Sequence, residues 1–208
     1  MKNFKDTVVY QIYPKSFCDT DGDGLGDLRG VTAKLDYLKK LGVDYLWLTP
    51  FFVSPQNDNG YDVADYRAID PRYGTMADFE ELVREAKARG IELMLDMVFN
   101  HTSTEHIWFQ KALSGDPVYQ DYYIFRPGKA DGTAPTNWQS KFGGSAWEYV
   151  PQLGKYYLHL FDRTQADLNW ENPAVRREVQ DIGMGKGVKG FRFDVVNLIS
   201  KGEYADDD

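Results

Sequence analysis

Lys186 to Asp194 reads KGVKGFRFD: a helix end, a glycine, then a short apolar run that closes on an acid. The same grammar occurs twice upstream, as LGVDYLWL from Leu41 to Leu48 and RGIELMLD from Arg89 to Asp96. A recurring helix end, glycine and strand implies alternating strand–helix units around a parallel sheet. Val8 to Tyr13, a β-branched and aromatic run ahead of Pro14, supplies one more strand at the start. A doubly wound sheet would share this rhythm, but no Gly-rich phosphate loop follows the first strand. Acidic or polar residues at the C-terminal ends of the strands suit a βα barrel instead. Such a barrel needs eight strands in about 250 residues. The countable strands therefore predict an α/β fold, the N-terminal half of a (β/α)8 barrel.

The last of these strands extends as GFRFDVVN from Gly190 to Asn197. Alternation puts Phe191 and Phe193 on one face and Arg192 and Asp194 on the other. Turning a charged pair inward is costly unless the pair performs a task. A lone Arg-x-Asp would read as a structural ion pair. Here the upstream residues build a setting in which Asp194 becomes a nucleophile.

Composition narrows the partners. The 208 residues carry a formal net charge of −8 with no Lys/Arg stripe, which argues against nucleic acid or an anionic membrane. Aromatic residues make up 15%, and Tyr and Trp cluster in segments that read as loops, where their rings suit the flat faces of sugars. Cys18 is the only cysteine, so no disulfide framework exists. The N-terminal MKNFKDTVVYQIYP has no apolar signal core, and no apolar run is long enough to span a membrane. A cytoplasmic, soluble protein with no organic cofactor is expected.

After the first strand comes DTDGDGLGD, Asp19 to Asp27. Asp19, Asp21, Asp23 and Asp27 alternate around a tight Gly turn, and Leu25 could add its backbone carbonyl, which predicts a structural Ca²⁺ loop. An EF-hand would need a bidentate Glu where Gly30 stands, so the loop is a calcium loop outside that pattern, or a Mg²⁺ site of lower affinity. Leu28, Val31, Leu35, Leu38 and Leu41 then share one helical face, stopped by Gly42. A loop from Phe51 to Tyr66 carries QNDNGYDVADY, and Thr75 with Asp78 reads as a capping box for a helix running to Arg89. Glu92 to Val98 is the third strand. From about Thr104 to Asp167 the rhythm breaks into short aromatic segments, with Leu158 to Phe161 a possible short strand. Asn172-Pro173 opens a further helix. The predicted organisation is residues 1–103 as the first part of a barrel, 104–167 as an irregular inserted domain after the third strand, and 168–208 as the continuation.

At this point four separated motifs resemble the α-amylase superfamily, glycoside hydrolase family 13. They are Gly60-Tyr61-Asp62, Asp96 through Asn100-His101, Gln165-Ala166-Asp167-Leu168-Asn169, and Gly190 to Asp194. The resemblance implies that Asp194 is the catalytic nucleophile and that Arg192 keeps it ionised. It implies that Tyr61, Asp62 and His101 hold the sugar under attack, with Asp96 and Asn100 supporting them. The inserted segment corresponds to the family's domain B. A retaining glycosidase needs one ionised carboxylate to attack the anomeric carbon and a second carboxyl as acid and base. His106 and His159 read as surface or packing residues.

Within the family, YQIYPKSF, TPFFVSPQNDNGYDVADY and NWQSKFGGSAWEY resemble the branch acting on trehalose 6-phosphate, with the oligo-1,6-glucosidases next. Val195 resembles the residue type linked there to non-α-1,4 specificity. The reading from sequence is thus a retaining α-glucosidase-type hydrolase whose substrate is a small sugar or sugar phosphate. A non-catalytic amylase-like scaffold is the alternative from another class, against which Asp62, His101, Arg192 and Asp194 all count. Two departures stand out. The family's general acid, a Glu after a fifth strand, has no counterpart, since Glu203 follows the nucleophile too closely; these 208 residues alone are expected to be inactive. RREVQDIGMGK, Arg176 to Lys186, is also short for the helix that the family places there, and carries Gly183 and Gly185.

Overall fold

A computed structural model describes residues 3–183 and 187–207. Four strands, β1 (Val9–Ile12), β2 (Tyr45–Leu48), β3 (Glu92–Met97) and β4 (Gly190–Phe193), form one parallel sheet in that order. Each strand lies beside its neighbour in sequence, which is barrel winding; a doubly wound sheet reverses direction at a switch point. The register pairs Val9 with Tyr45, Tyr45 with Glu92, and Arg192 with Asp96. The alternation read in β4 holds, with a twist in its burial. Arg192 is half-buried, whereas Phe191 and Phe193 are 37% and 50% exposed.

The helical stripe from Leu28 to Leu41 forms two helices, α1 (Leu28–Ala33) and α2 (Leu35–Lys40), rather than one. Lys34, at φ −99° and ψ 4°, breaks the run between them. Leu28, Val31, Leu35 and Leu38 are fully buried, each contributing roughly 1.5–3 kcal/mol of apolar burial. Leu41 lies beyond α2 and is exposed, so the stripe ends one turn early. The start of α1 is fixed by Asp27, whose carboxylate accepts from the Gly30 N–H at 2.6 Å. Gly30 is required there, because a Cβ would sit 1.9 Å from the Cys18 carbonyl oxygen. The capping box of Thr75 and Asp78 opens α3 (Met76–Ala88), which buries Phe79, Leu82 and Ala86. The last helix, α4, spans Pro173–Gly183. The residues read as its end, Met184, Gly185 and Lys186, lie outside those described.

Two compact units divide the chain. One comprises Met1–Val53, Tyr66–Met97 and Gly183–Phe193, and holds the parallel sheet. The other comprises Ser54–Asp65, Val98–Ile182 and Asp194–Asp208. This second unit is more regular than its sequence suggests. His101–Ser103 pairs antiparallel with Gln165–Asp167, and Lys155–Leu158 is the central strand of a three-stranded antiparallel sheet between Phe125–Arg126 and Trp147–Val150. That central strand sits three residues before the Leu158–Phe161 position predicted for it. Phe109 packs edge-on against Tyr123 and Tyr157, with ring centroids 4.9 and 5.0 Å away. Ile124, Ala146, Trp147 and Leu158 form an adjoining buried cluster.

Candidate active site

In the sheet unit, the register that sets Arg192 beside Asp96 makes them an ion pair. Arg192 donates from Nη1 to Asp96 Oδ1 at 2.9 Å and to Oδ2 at 3.1 Å. The Trp47 indole N–H donates to Asp96 Oδ2 at 3.0 Å, and the guanidinium lies 5.0 Å from the centre of the Trp47 ring. Asp96 is wholly buried, and these donors satisfy its charge. Arg192, assigned from sequence to Asp194, thus has Asp96 as a direct partner.

In the second unit a chain of polar side chains runs through His101. Its Nε2 lies 3.1 Å from the Tyr61 carbonyl oxygen, and its Nδ1 lies 3.1 Å from Asn100 Nδ2. Asn100 Nδ2 also donates to Asp167 Oδ2 at 3.2 Å, while Asn100 Oδ1 accepts from Lys201 Nζ at 2.5 Å. Lys201 forms a 2.7 Å salt bridge to Asp167, whose other oxygen accepts from the Leu160 N–H. Burial holds the His101 imidazole below the usual histidine range, against the opposing pull of Asp167 and Asp194. A neutral ring in a dry site is suited to hydrogen-bonding an uncharged hydroxyl.

Asp62 organises the loop before it. Its Oδ1 accepts from the Ser54 hydroxyl at 2.9 Å and from the Asp58 N–H at 3.1 Å, and its Oδ2 accepts from the Asn57 N–H at 2.8 Å. Asp58 in turn accepts from Gln165 Nε2 at 2.9 Å. Burial raises the Asp58 carboxyl above the ordinary aspartate value, and the charges of Asp62 and Asp194 add to that rise. The field of Asp194 thus reaches both Asp58 and His101. Directly after Asp194, Val195 adopts φ 39° and ψ 36°, a left-handed conformation that a β-branched residue rarely takes. Strain of that kind costs on the order of 1–3 kcal/mol and gathers at functional turns.

The acidic loop belongs to the sheet unit. Carboxylate oxygens of Asp19, Asp21 and Asp27 lie within 4.8 Å of one another, a group that does not include Asp23. Asp23 accepts from the Leu25 N–H, and Asp19 accepts from the Asp21, Gly22 and Gly24 N–H groups. Those glycine amides hold the Asp19 carboxyl below its ordinary value. An all-oxygen donor set fits a hard cation such as Ca²⁺.

The structure therefore gathers Tyr61, Asn100 and His101 into one hydrogen-bonded chain, with Asp194 in electrostatic range of His101. Tyr61 contributes its carbonyl to that chain. Sequence reading missed Trp47, Asp58 and Lys201 as participants, and treated Gln165 and Asp167 only as part of a motif. No local pattern marks Trp47, Asp58 or Lys201, because their partners Asp96, Gln165 and Asn100 lie far away in the chain.

Comparison with known proteins supplies the context. Residues 11–208 match the alpha-amylase catalytic domain. The trehalose-6-phosphate hydrolase of Escherichia coli K12 is 62% identical over 201 residues, covering 95% of this chain and 36% of that protein. The oligo-1,6-glucosidase of Parageobacillus thermoglucosidasius is 58% identical over 202 residues, with the same coverage. The crystal structure of Bacillus licheniformis trehalose-6-phosphate hydrolase superposes with a TM-score of 0.95 at 59% identity, covering 98% of this chain and 38% of that one. The chain thus spans about 36% of the length of the curated relatives it matches.

Proposed function

This chain belongs to the alpha-amylase family, and on that premise we propose that the protein carrying it is a retaining glycoside hydrolase that cleaves trehalose 6-phosphate to glucose and glucose 6-phosphate. The observation that carries the reading is the buried Tyr61–His101–Asn100–Asp167 chain lying within the field of Asp194. In this reading Asp194 attacks the anomeric carbon, and a second carboxyl protonates the leaving oxygen and then activates water. His101 and Asp62 bind hydroxyls of the sugar being attacked, Tyr61 borders the same subsite, and Asn100 keeps His101 oriented. Arg192, Asp96 and Trp47 fix the end of β4 from which Asp194 follows.

The substrate reading is supported by trehalose-6-phosphate hydrolases of Escherichia coli and Bacillus subtilis, at 62% and 60% identity. The second reading, an oligo-1,6-glucosidase, is favoured by the 58% identity of the next relative. Steady-state assays of the whole protein on trehalose 6-phosphate and on isomaltose separate them. We expect kcat/KM to favour the phosphorylated sugar, and Asp194→Asn to lower turnover by about 10⁴-fold or more. Preference for isomaltose would transfer the assignment to the second reading; activity that survives Asp194→Asn would refute both.

Asp19, Asp21 and Asp27, with Asp23 and the Leu25 carbonyl completing the set, would hold one structural Ca²⁺, which stabilises the loop and takes no part in chemistry. A ligand bound only by the folded state raises the melting temperature, so chelation should lower it. An unchanged melting curve together with calcium-free metal analysis would remove the ion from the account. No helix among the described residues is long and apolar enough to cross a membrane. A cytoplasmic location is in keeping with the single cysteine, Cys18.

A further inference from the structure

The His101 ring has a donor on each flank. Asn100 Nδ2 faces Nδ1 at 3.1 Å, and Gln165 Nε2 faces Nε2 at 3.1 Å. Gln165 cannot reverse its amide without loss, because its Oε1 accepts from the Asp162 N–H at 2.9 Å and its Nε2 donates to Asp58 at 2.9 Å. A neutral imidazole accepts at only one nitrogen. Seen from these two amide donors alone, the two tautomers compete.

Lys201 breaks the tie. An ammonium has three donors and no acceptor, so the Asn100 atom that it touches at 2.5 Å must be the amide oxygen. The Asn100 NH₂ group is then turned toward His101 Nδ1 and Asp167 Oδ2, where it can only donate. Nδ1 is therefore the acceptor and the proton resides on Nε2, which donates to the Tyr61 carbonyl, itself acceptor only. Lys201 is locked in turn by Asp167 at 2.7 Å and by the Leu198 carbonyl, with its side chain 4% exposed. Were Asn100 to flip, its NH₂ would meet the ammonium and its oxygen would meet the Asp167 carboxylate.

We propose that Lys201 is a positioning residue whose ammonium fixes the amide of Asn100 and, through it, the tautomer of His101, leaving the ring proton on Nε2. The Nε2 proton is then held by the Tyr61 carbonyl, which fixes the ring in one orientation. The value of that orientation to catalysis rests on the reading of His101 as a sugar-binding residue, but the tautomer itself does not.

Long-range ¹H–¹⁵N spectroscopy of the histidine-labelled chain, which has three histidines, reads the protonated nitrogen directly. In the unaltered chain His101 should carry its proton on Nε2, and a proton on Nδ1 there would overturn the proposal. In Lys201→Met the proton should move wholly or in part to Nδ1, and Lys201→Arg, which keeps a cationic donor, should restore the original signature. A folded Lys201→Met chain that keeps the proton on Nε2 alone would overturn the proposal as well. Should Lys201→Met fail to fold, Asn100→Asp decides. It offers Nδ1 only an acceptor: protonation at Nδ1 supports the chain of control, and a proton on Nε2 alone refutes it. In the whole enzyme, the Met variant should raise KM on the order of tenfold, the effect of misorienting a sugar-binding ring by about one hydrogen bond's worth. A shifted tautomer with unchanged KM would leave Lys201 its role and remove His101 from substrate binding.

Discussion

Two buried carboxylates, Asp96 in the sheet unit and Asp167 in the second unit, are each paired with a cation, and the two pairs are built differently. Asp96 and Arg192 sit on adjacent strands in register, and the Arg192 side chain remains 34% exposed. Asp167 ends a short antiparallel strand, Lys201 lies in an irregular segment, and both are almost wholly buried. In the first pair the sheet supplies the geometry and water still reaches the cation. In the second, no regular element positions the lysine, so its hydrogen bonds to Asn100 and Leu198 must do so. A buried ammonium depends on its partner far more than a guanidinium that can turn to solvent.

That contrast is broken most directly at Asp167. Asp167→Asn would leave the Lys201 ammonium buried without a counterion, and removal of one partner of such a pair costs about 3–5 kcal/mol. Replacing both partners, as Asp167→Leu with Lys201→Met, should recover most of the loss, because no uncompensated charge remains. Urea unfolding of the single and double variants measures this. A double variant as unstable as the single would mean that the surrounding hydrogen bonds, and not the charge, dominate.

How much of this was legible follows the same division. The sheet unit could be read because its signals are periodic. The repeated Gly–strand grammar located β2, β3 and β4, and alternation set Arg192 apart from Phe191 and Phe193. The break at Lys34 was not legible, since Leu28 to Leu38 keep helical spacing across it. In the second unit the strands lack the repeated helix-end, glycine and strand grammar, and aromatic residues crowd both faces, so no period-2 pattern emerges. His101 and Asn100 were found through motif resemblance. Lys201 had no such signal, because a lone lysine in a polar turn reads as solvated and only the fold brings it to Asp167.

Acid should sharpen the contrast between the units, because His101, His106 and His159 all belong to the second. His106 caps the helix Ile107–Leu113, its Nδ1 accepting from the Trp108 N–H at 3.1 Å. Burial lowers its pKa to about 4, with Asp65 opposing. A histidine whose folded pKa lies below its unfolded value takes up protons on unfolding. Its stabilising effect is therefore present above about pH 6.5 and declines as pH falls toward the folded value. At 1.36 kcal/mol per pH unit, the loss at pH 5 is about 2 kcal/mol. Burial of His101 acts in the same direction. Hydrogen exchange at pH 7 and pH 5 should show Ile107–Leu113 losing protection while β2 and β3 keep theirs, and His106→Gln should flatten the response. Equal loss in both units would trace the acid sensitivity to carboxylates.

The smallest effect is expected at Asp96, and it tests whether exposure of the cation is the deciding variable. Asp96→Asn keeps an oxygen that can accept from Arg192 or Trp47 and removes only the charge. The Arg192 guanidinium, already a third exposed, can turn toward water, and its contact with the Trp47 ring survives the change. The loss should therefore be that of a weakened hydrogen-bonded pair, about 1 kcal/mol, and well below that of the same substitution at Asp167. Unfolding curves of Asp96→Asn and Asp167→Asn under one set of conditions give the comparison without further assumptions. If the two cost the same, water at the cation does not decide what a buried carboxylate is worth here. The support that Trp47 and Leu160 give their respective carboxylates would then be the better explanation.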